Sequence, residues 1–179
     1  MEVYATPGRH RRFDRRTIQR LAMSRATGGR PLASLGAGAD RLTRAYRRSY
    51  AADAAQHGVR TDDSAELERY RVDGRRLIDA LVAHLDAGPT DHAGRASAEA
   101  QATTIVDDLA RRMKASGTSL TEAVGLFVAA RRPFMAELGG LGRRRALDAT
   151  RLARLYGDAS GLLDRLLIRL IETYQRAAE

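Results

Sequence analysis

The sequence predicts an all-α protein, a helical bundle of about five helices that follows a short N-terminal β-hairpin and a short helix. Two observations predict this class. From about residue 39 onward, apolar residues recur at the three- and four-residue spacing of amphipathic helices. No alternating apolar and polar run of strand length occurs after residue 13. Hydrophobic residues make up 44% of the 179 residues, which is enough for a packed core.

The first 23 residues predict a hairpin and a helix. Pro7-Gly8 is a strong turn signal, because proline presets φ and glycine adopts positive φ. Val3 and Tyr4 precede this turn and Phe13 follows it, so two short strands can pair across it. A short helix then begins at Asp14, whose side chain suits an N-cap, and ends near residue 23.

Residues 24–38 predict a linker, because four Gly and one Pro in fifteen residues disfavour a packed element. The domain organisation expected is therefore an N-terminal hairpin-and-helix segment over 1–23, a linker over 24–38 and a helical domain over 39–179.

Five amphipathic patterns fill the helical domain. They predict helices over about 39–57, 62–87, 95–116, 119–138 and 148–177. Ser119 and Glu122 form a capping box at the start of the fourth helix. Pro133 lies inside that helix and predicts a kink, and Gly139, Gly140 and Gly142 are expected to end it.

The last predicted helix carries the longest apolar stripe. Within this stripe we predict a homodimer interface, with burial inside one subunit as the alternative. The candidate interface residues are Leu155, Leu162, Leu166 and Leu170.

The net charge of +9 lies entirely at one end of the chain. Residues 1–50 contain 12 Arg and three acidic residues, whereas residues 51–179 contain 19 basic and 19 acidic residues. This asymmetry is typical of a basic nucleic-acid-binding arm joined to a neutral domain, and an Arg-rich tail with no specific partner is the alternative.

Composition excludes several other classes of protein and site. The chain has no Cys, so disulfides, thiolate nucleophiles and Cys-based metal sites are excluded. It has no apolar run of transmembrane length and no apolar secretory signal, so we expect a cytoplasmic protein without a membrane partner.

Residues 4–22, with the core Thr-Pro-Gly-Arg-His-Arg-Arg-Phe at 6–13, resemble the wing and following helix of MerR/excisionase-type helix-turn-helix domains. This sequence has Arg9 where that family usually has a second glycine. The resemblance implies a DNA-binding transcriptional regulator with a winged helix-turn-helix.

A narrow, basic turn also suits DNA on physical grounds. Arginine donors contact phosphate oxygens, and a narrow A/T-rich minor groove attracts inserted arginine. The predicted DNA-binding residues are Thr6, Gly8, Arg9, His10, Arg11, Arg12, Arg15 and Arg16.

The two helices that precede the wing in this family have no counterpart here, since only five residues precede Thr6. We expect either that the natural protein begins upstream of Met1 or that the chain keeps half of the domain. A wing without a recognition helix binds DNA weakly, without sequence specificity and with strong salt dependence.

Residues 39–178 resemble the helical N-terminal sensor domains of the RsbR/RsbRD type. The segment that carries this likeness is 115–135, with its small-residue loop, capping box, apolar helix and Arg-Arg-Pro-Phe break, and the later helix around 162–167 suits it. The resemblance implies a globin-like fold without haem that serves signalling.

No credible active site is present in the sequence. His10, His57, His84 and His92 do not pair at metal-binding spacing, and the Gly-rich stretches match no phosphate-binding loop. We predict a protein that is not an enzyme and holds no metal or cofactor.

The leading interpretation is a DNA-binding regulator whose helical domain senses a signal, forms a homodimer or both. The helical domain is then the place for a protein partner or a small-molecule signal. The alternative is an RsbR-like signalling and protein-interaction module with a vestigial basic arm and no specific DNA binding.

Overall fold

A computed structural model describes residues 3–5, 11–13, 32, 40–45, 64–143 and 148–177. Most of these residues are helical, which confirms the predicted all-α bundle at the level of fold class. The four long helices are α1 (Ser64–Asp86), α2 (His92–Ala115), α3 (Leu120–Arg143) and α4 (Ala149–Arg176).

The described N-terminal residues form two short strands, β1 (Val3–Ala5) and β2 (Arg11–Phe13), which pair antiparallel. The predicted turn at 6–10 and the predicted helix at 14–23 lie outside the described residues. The wing-like hairpin as a whole therefore stays a prediction.

Side-chain caps set three of the helix starts. Asp91 accepts a hydrogen bond from Gly94 N at 2.9 Å, so α2 begins at His92, three residues before the predicted start. The capping box is confirmed, because Ser119 Oγ accepts from Glu122 N at 3.2 Å and Glu122 Oε2 accepts from Ser119 N at 2.8 Å. Asp148 caps α4 in the same way as Asp91 caps α2.

The prediction that glycines end the fourth helix near residue 138 is wrong. The helix α3 continues through Gly139 and Gly140 to Arg143. Leu138 and Leu141 are both fully buried, so helical backbone at this point places two leucines in the core. That burial contributes more than the roughly 1 kcal/mol by which each helical glycine is disfavoured.

Cross-helix hydrogen bonds fix the helix directions. α1 runs antiparallel to α2, since Asp73 contacts Arg112 at one end and His84 contacts Arg95 at the other.

The helix α4 runs parallel to α2 and antiparallel to α3. Arg95 and Asp107 of α2 meet Asp158 and Arg169 of α4 in the same order along both helices. On the other side, Arg131 of α3 contacts Asp164, and Tyr156 donates to the carbonyl of Met135 at 2.6 Å.

Helix α4 lies at the centre of the core. It packs on α2 and α3 and also touches α1. The end of α4 is fixed by Tyr174, whose hydroxyl donates to Thr118 O at 2.5 Å and whose ring lies 4.8 Å from Lys114 Nζ.

The helical segment 40–45 bridges α1 and α3. Asp40 pairs with Arg75 of α1 at 2.7 Å, and Arg41 pairs with Glu137 of α3 at 2.9 Å. Between these polar contacts, Leu42 is buried in the main core. The segment belongs to the helix predicted over 39–57, and the rest of that helix lies outside the described residues.

Leu32 is also buried in the core, although it lies within the predicted linker. The other residues of 24–38 lie outside the described residues, so the boundaries of this linker stay a prediction.

Two glycines, one inside a helix and one just after a helix end, are expected to respond in opposite ways to replacement by alanine. Gly125 lies inside α3, and a Cβ added there would meet no atom within 4 Å. Gly117 follows α2 with φ +77°, a conformation that favours glycine.

We expect Gly125→Ala to raise the free energy of unfolding by about 0.5–1 kcal/mol, because alanine is the better helix former. Gly117→Ala should lower it by about 1–2 kcal/mol, because its backbone is left-handed. Denaturant unfolding of the full chain measures both changes. A stability loss in Gly125→Ala would show that another group packs against this position.

Candidate functional site

The structure describes only two of the predicted DNA-binding residues, and only their backbone. Arg11 and Arg12 lie on β2, paired with Ala5 and Tyr4 of β1. The other six predicted residues lie outside the described residues, namely Thr6, Gly8, Arg9, His10, Arg15 and Arg16. Their DNA contacts stay a prediction.

The four leucines predicted as a dimer interface lie in the core of one chain. Their exposed fractions run from 0% to 3% for Leu155, Leu162, Leu166 and Leu170. In this fold the neighbouring helices cover these side chains, so a second copy cannot contact them without opening the bundle. These four residues therefore match the alternative, which was burial within one subunit. Dimer formation itself stays a prediction.

Polar contacts join α2 to α4 along their whole length. The strongest contact is at Asp107, which accepts from Arg169 Nε and Nη2 at 2.7 Å each and from Thr173 Oγ1 at 2.7 Å. The two bonds from Arg169 hold the pKa of Asp107 below its ordinary value of 3.8, and Thr173 adds to this effect.

Two further ion pairs lie toward the start of α2. Glu99 accepts two bonds from Arg165, at 2.5 and 2.9 Å, and Arg95 donates to Asp158 at 3.2 Å. The bonds from Arg165 lower the pKa of Glu99. Glu99, Asp107 and Asp158 are thus already engaged by arginines of the same bundle.

His84 lies where α1 meets α2 and α4, a contact that we call the His84 junction. Its side chain is 1% exposed, and Nδ1 lies 3.2 Å from the carbonyl oxygen of Arg95. Because a carbonyl only accepts, Nδ1 carries the proton and Nε2 is a bare acceptor in the neutral ring. Nε2 is buried and makes no hydrogen bond to any part of the chain that the structure describes.

The surroundings of His84 favour the neutral imidazole. Burial is the main cause that lowers the pKa of His84 below its ordinary value of 6.5. The positive charges of Arg95 and Arg165 lower this pKa further, while the bond to the Arg95 carbonyl and the charge of Glu99 oppose the shift. The sequence showed His84 only as a residue beside the core, with no sign of this placement.

Two residues after His84, Asp86 binds the backbone of Leu32. Its Oδ1 accepts from the backbone N–H of Leu32 at 2.8 Å. Burial raises the pKa of Asp86, whereas the Leu32 N–H and the charge of Arg151 lower it. No sequence pattern could reveal this bond, because its partners are 54 residues apart.

The structure shows neither a metal centre nor a membrane span over the residues that it describes. No group of three His, Asp or Glu side chains in 64–143 and 148–177, or in the shorter described segments, is placed to hold a metal ion. No described helix is long and apolar enough to cross a membrane.

Comparison with known proteins adds no relative. No family model, no curated protein and no solved structure matches this chain. The resemblances to MerR/excisionase and RsbR/RsbRD proteins therefore stay predictions from the sequence.

The neighbouring residues Asp107 and Asp108 provide a matched test of the α2–α4 contact. Asp107→Ala should lower the free energy of unfolding by about 1–2 kcal/mol, because it removes three hydrogen bonds between helices. The cost stays below that of a fully buried pair, because Arg169 is 37% exposed. Asp108 pairs only with Arg111 one turn away on the surface, so Asp108→Ala should change stability by less than about 0.5 kcal/mol.

The pH dependence of the free energy of unfolding, measured by denaturant unfolding, also tests the Asp107 contact between α2 and α4. The folded pKa of Asp107 lies below 3.8, so its contribution is present above that pH and is lost as the pH falls through the folded value. The stability gap between wild type and Asp107→Ala should therefore close in strong acid. Equal effects of the two alanine variants at neutral pH would contradict the assignment.

A third prediction concerns the bond between Asp86 and Leu32. Asp86→Ala removes the acceptor and should speed hydrogen exchange of the Leu32 amide, whereas Asp86→Asn keeps an acceptor oxygen and should change it little. Asp79→Ala, at an exposed position on the same helix, is the control. Exchange that is equally fast in Asp86→Ala and Asp79→Ala would argue against the bond.

Proposed function

We propose that this chain is a DNA-binding regulator of MerR/excisionase-like type, in which the basic N-terminal residues contact DNA and the helical bundle senses a signal or joins two copies. The observation that carries the proposal is the position of the charge. All of the net +9 belongs to residues 1–50, and the remaining 129 residues are neutral overall. A polyanion is therefore attracted to one end of the chain.

The ion pairs of the bundle support this division. Arg95, Arg165 and Arg169 of the helical domain bind carboxylates of neighbouring helices. Such arginines hold the bundle together and are poorly placed to compete for phosphate. The arginines around the Pro7-Gly8 turn precede the bundle, and their spacing suits phosphate contacts.

The proposal includes the RsbR/RsbRD-like character of the bundle, with its globin-like arrangement of helices. Binding through a basic hairpin alone reads phosphates rather than bases. We therefore propose DNA binding that is weakly dependent on sequence and strongly dependent on salt.

An electrophoretic mobility shift at low salt tests the proposal. Arg9/Arg11/Arg12→Ala should weaken binding to a mixed-sequence duplex at least tenfold at 50 mM salt, because each lost phosphate contact removes counterion release. The control Arg69/Arg132/Arg154→Ala removes the same charge from exposed positions on α1, α3 and α4, and should retain most of the affinity.

Equal losses in the two triple variants would show that binding follows total charge rather than the N-terminal segment. Absence of binding by wild type at this salt would favour the alternative, a signalling module that binds protein partners through its bundle.

A further inference from the structure

The His84 junction contains a buried titratable group that the proposed DNA contact does not use. The imidazole projects from α1 between α2 and α4, and charged groups face it from both helices. Arg95 and Glu99 belong to α2, and Arg165 belongs to α4. Asp158 of α4 is the ion-pair partner of Arg95. On α1 itself, the nearest acidic residue toward the end of the helix is Asp86.

A second proton on this ring would be strongly disfavoured in the present packing. The imidazolium would place a third cation beside Arg95 and Arg165, whose partners Asp158 and Glu99 are already engaged. Its new Nε2–H would have no acceptor among the residues that the structure describes. A buried cation without a partner is costly, so the junction must open to let water reach it.

The part of α1 that would have to move also holds Leu32. Asp86 lies two residues beyond His84 in the last turn of α1, and its carboxylate accepts the Leu32 N–H. The Leu32 side chain belongs to the same buried cluster as Leu81 and Leu85 on this end of α1. Displacement of the turn would separate Asp86 from Leu32 and uncover the leucine.

We propose that the His84 junction is a proton-sensitive latch, in which uptake of one proton by His84 opens the last turn of α1 and releases Leu32. The latch rests on the proposed function for its role, since it would regulate how the DNA-binding segment is held. Its chemistry involves only the proton and the residues named above.

The direction of the pH effect follows from the preference for the neutral ring. Exposure of the ring in the open form would return the pKa of His84 to its ordinary value of 6.5, whereas burial lowers it in the closed form, so the closed form is favoured above pH 6.5. As the pH falls below 6.5, the open population should rise by up to about tenfold per pH unit until the folded pKa is reached.

Hydrogen exchange of the full-length chain between pH 7.5 and 5 tests the latch. The readout is the ratio of exchange rates at the Leu32 amide in wild type and in His84→Leu, because the intrinsic pH dependence of exchange cancels in this ratio. The latch predicts that the ratio is constant above pH 6.5 and rises severalfold to tenfold by pH 5.5. His92→Gln, which removes an exposed imidazole, should behave like wild type.

Amides around Phe134 in α3 distinguish local release from general unfolding. In the latch these amides keep the same ratio while Leu32 changes. A flat ratio at Leu32, or an equal rise at Leu32 and in α3, would overturn the proposal. His84→Gln replaces His84→Leu if the leucine variant does not fold, with the same expectation.

The latch and the proposed function can be disproved independently of each other. The exchange experiment contains no DNA, so a flat profile removes the latch and leaves DNA binding to its own test. If the wild-type chain does not bind DNA, the proposed role of the latch is wrong. A rising exchange ratio would still establish the latch.

Discussion

Burial of one apolar face of α4 is the constraint on which the rest of the structure depends. Eight residues of this helix, from Leu155 to Tyr174, are buried, and α4 packs on α2 and α3 while also touching α1. Each leucine side chain removed from water contributes about 1.5–3 kcal/mol, so this stripe is the main source of stability. Apolar burial does not by itself select a helix direction, so the polar residues beside the stripe set the directions of the helices that pack on α4. The resulting contacts are Asp107 with Arg169, Glu99 with Arg165 and Arg131 with Asp164.

The same polar contacts engage arginines of the bundle within the bundle itself. Arginines of α2, α3 and α4 pair with carboxylates on neighbouring helices. The excess positive charge is left in the first 50 residues. Leu32 and Leu42 fasten part of this segment to the bundle, so the basic chain and the helical domain are physically connected.

Local sequence signals predicted the helices well because those signals act over one or two turns. The Ser119–Glu122 capping box and the apolar periodicity gave α1 to α4 with ends mostly within about three residues. The glycines at 139 and 140 misled the prediction, because the burial of Leu138 and Leu141 is a property of the assembled core. The bond from Leu32 to Asp86 and the burial of His84 likewise depend on contacts between distant segments, which have no local pattern. The leucine stripe of α4 was visible, but its periodicity could not distinguish a core from a dimer interface.

The salt dependence of DNA affinity tests the central claim, which is that the basic N-terminal end of this chain, whose other 129 residues are neutral overall, binds the DNA backbone. The measurement is the dissociation constant of the full chain for a mixed-sequence duplex between 50 and 200 mM salt. The slope of log affinity against log salt is about −0.9 for each phosphate that the protein neutralises. With Arg9, Arg11 and Arg12 each on a phosphate, we predict a slope of about −2.7 or steeper. A slope near zero, or no binding at 50 mM salt, would contradict the account.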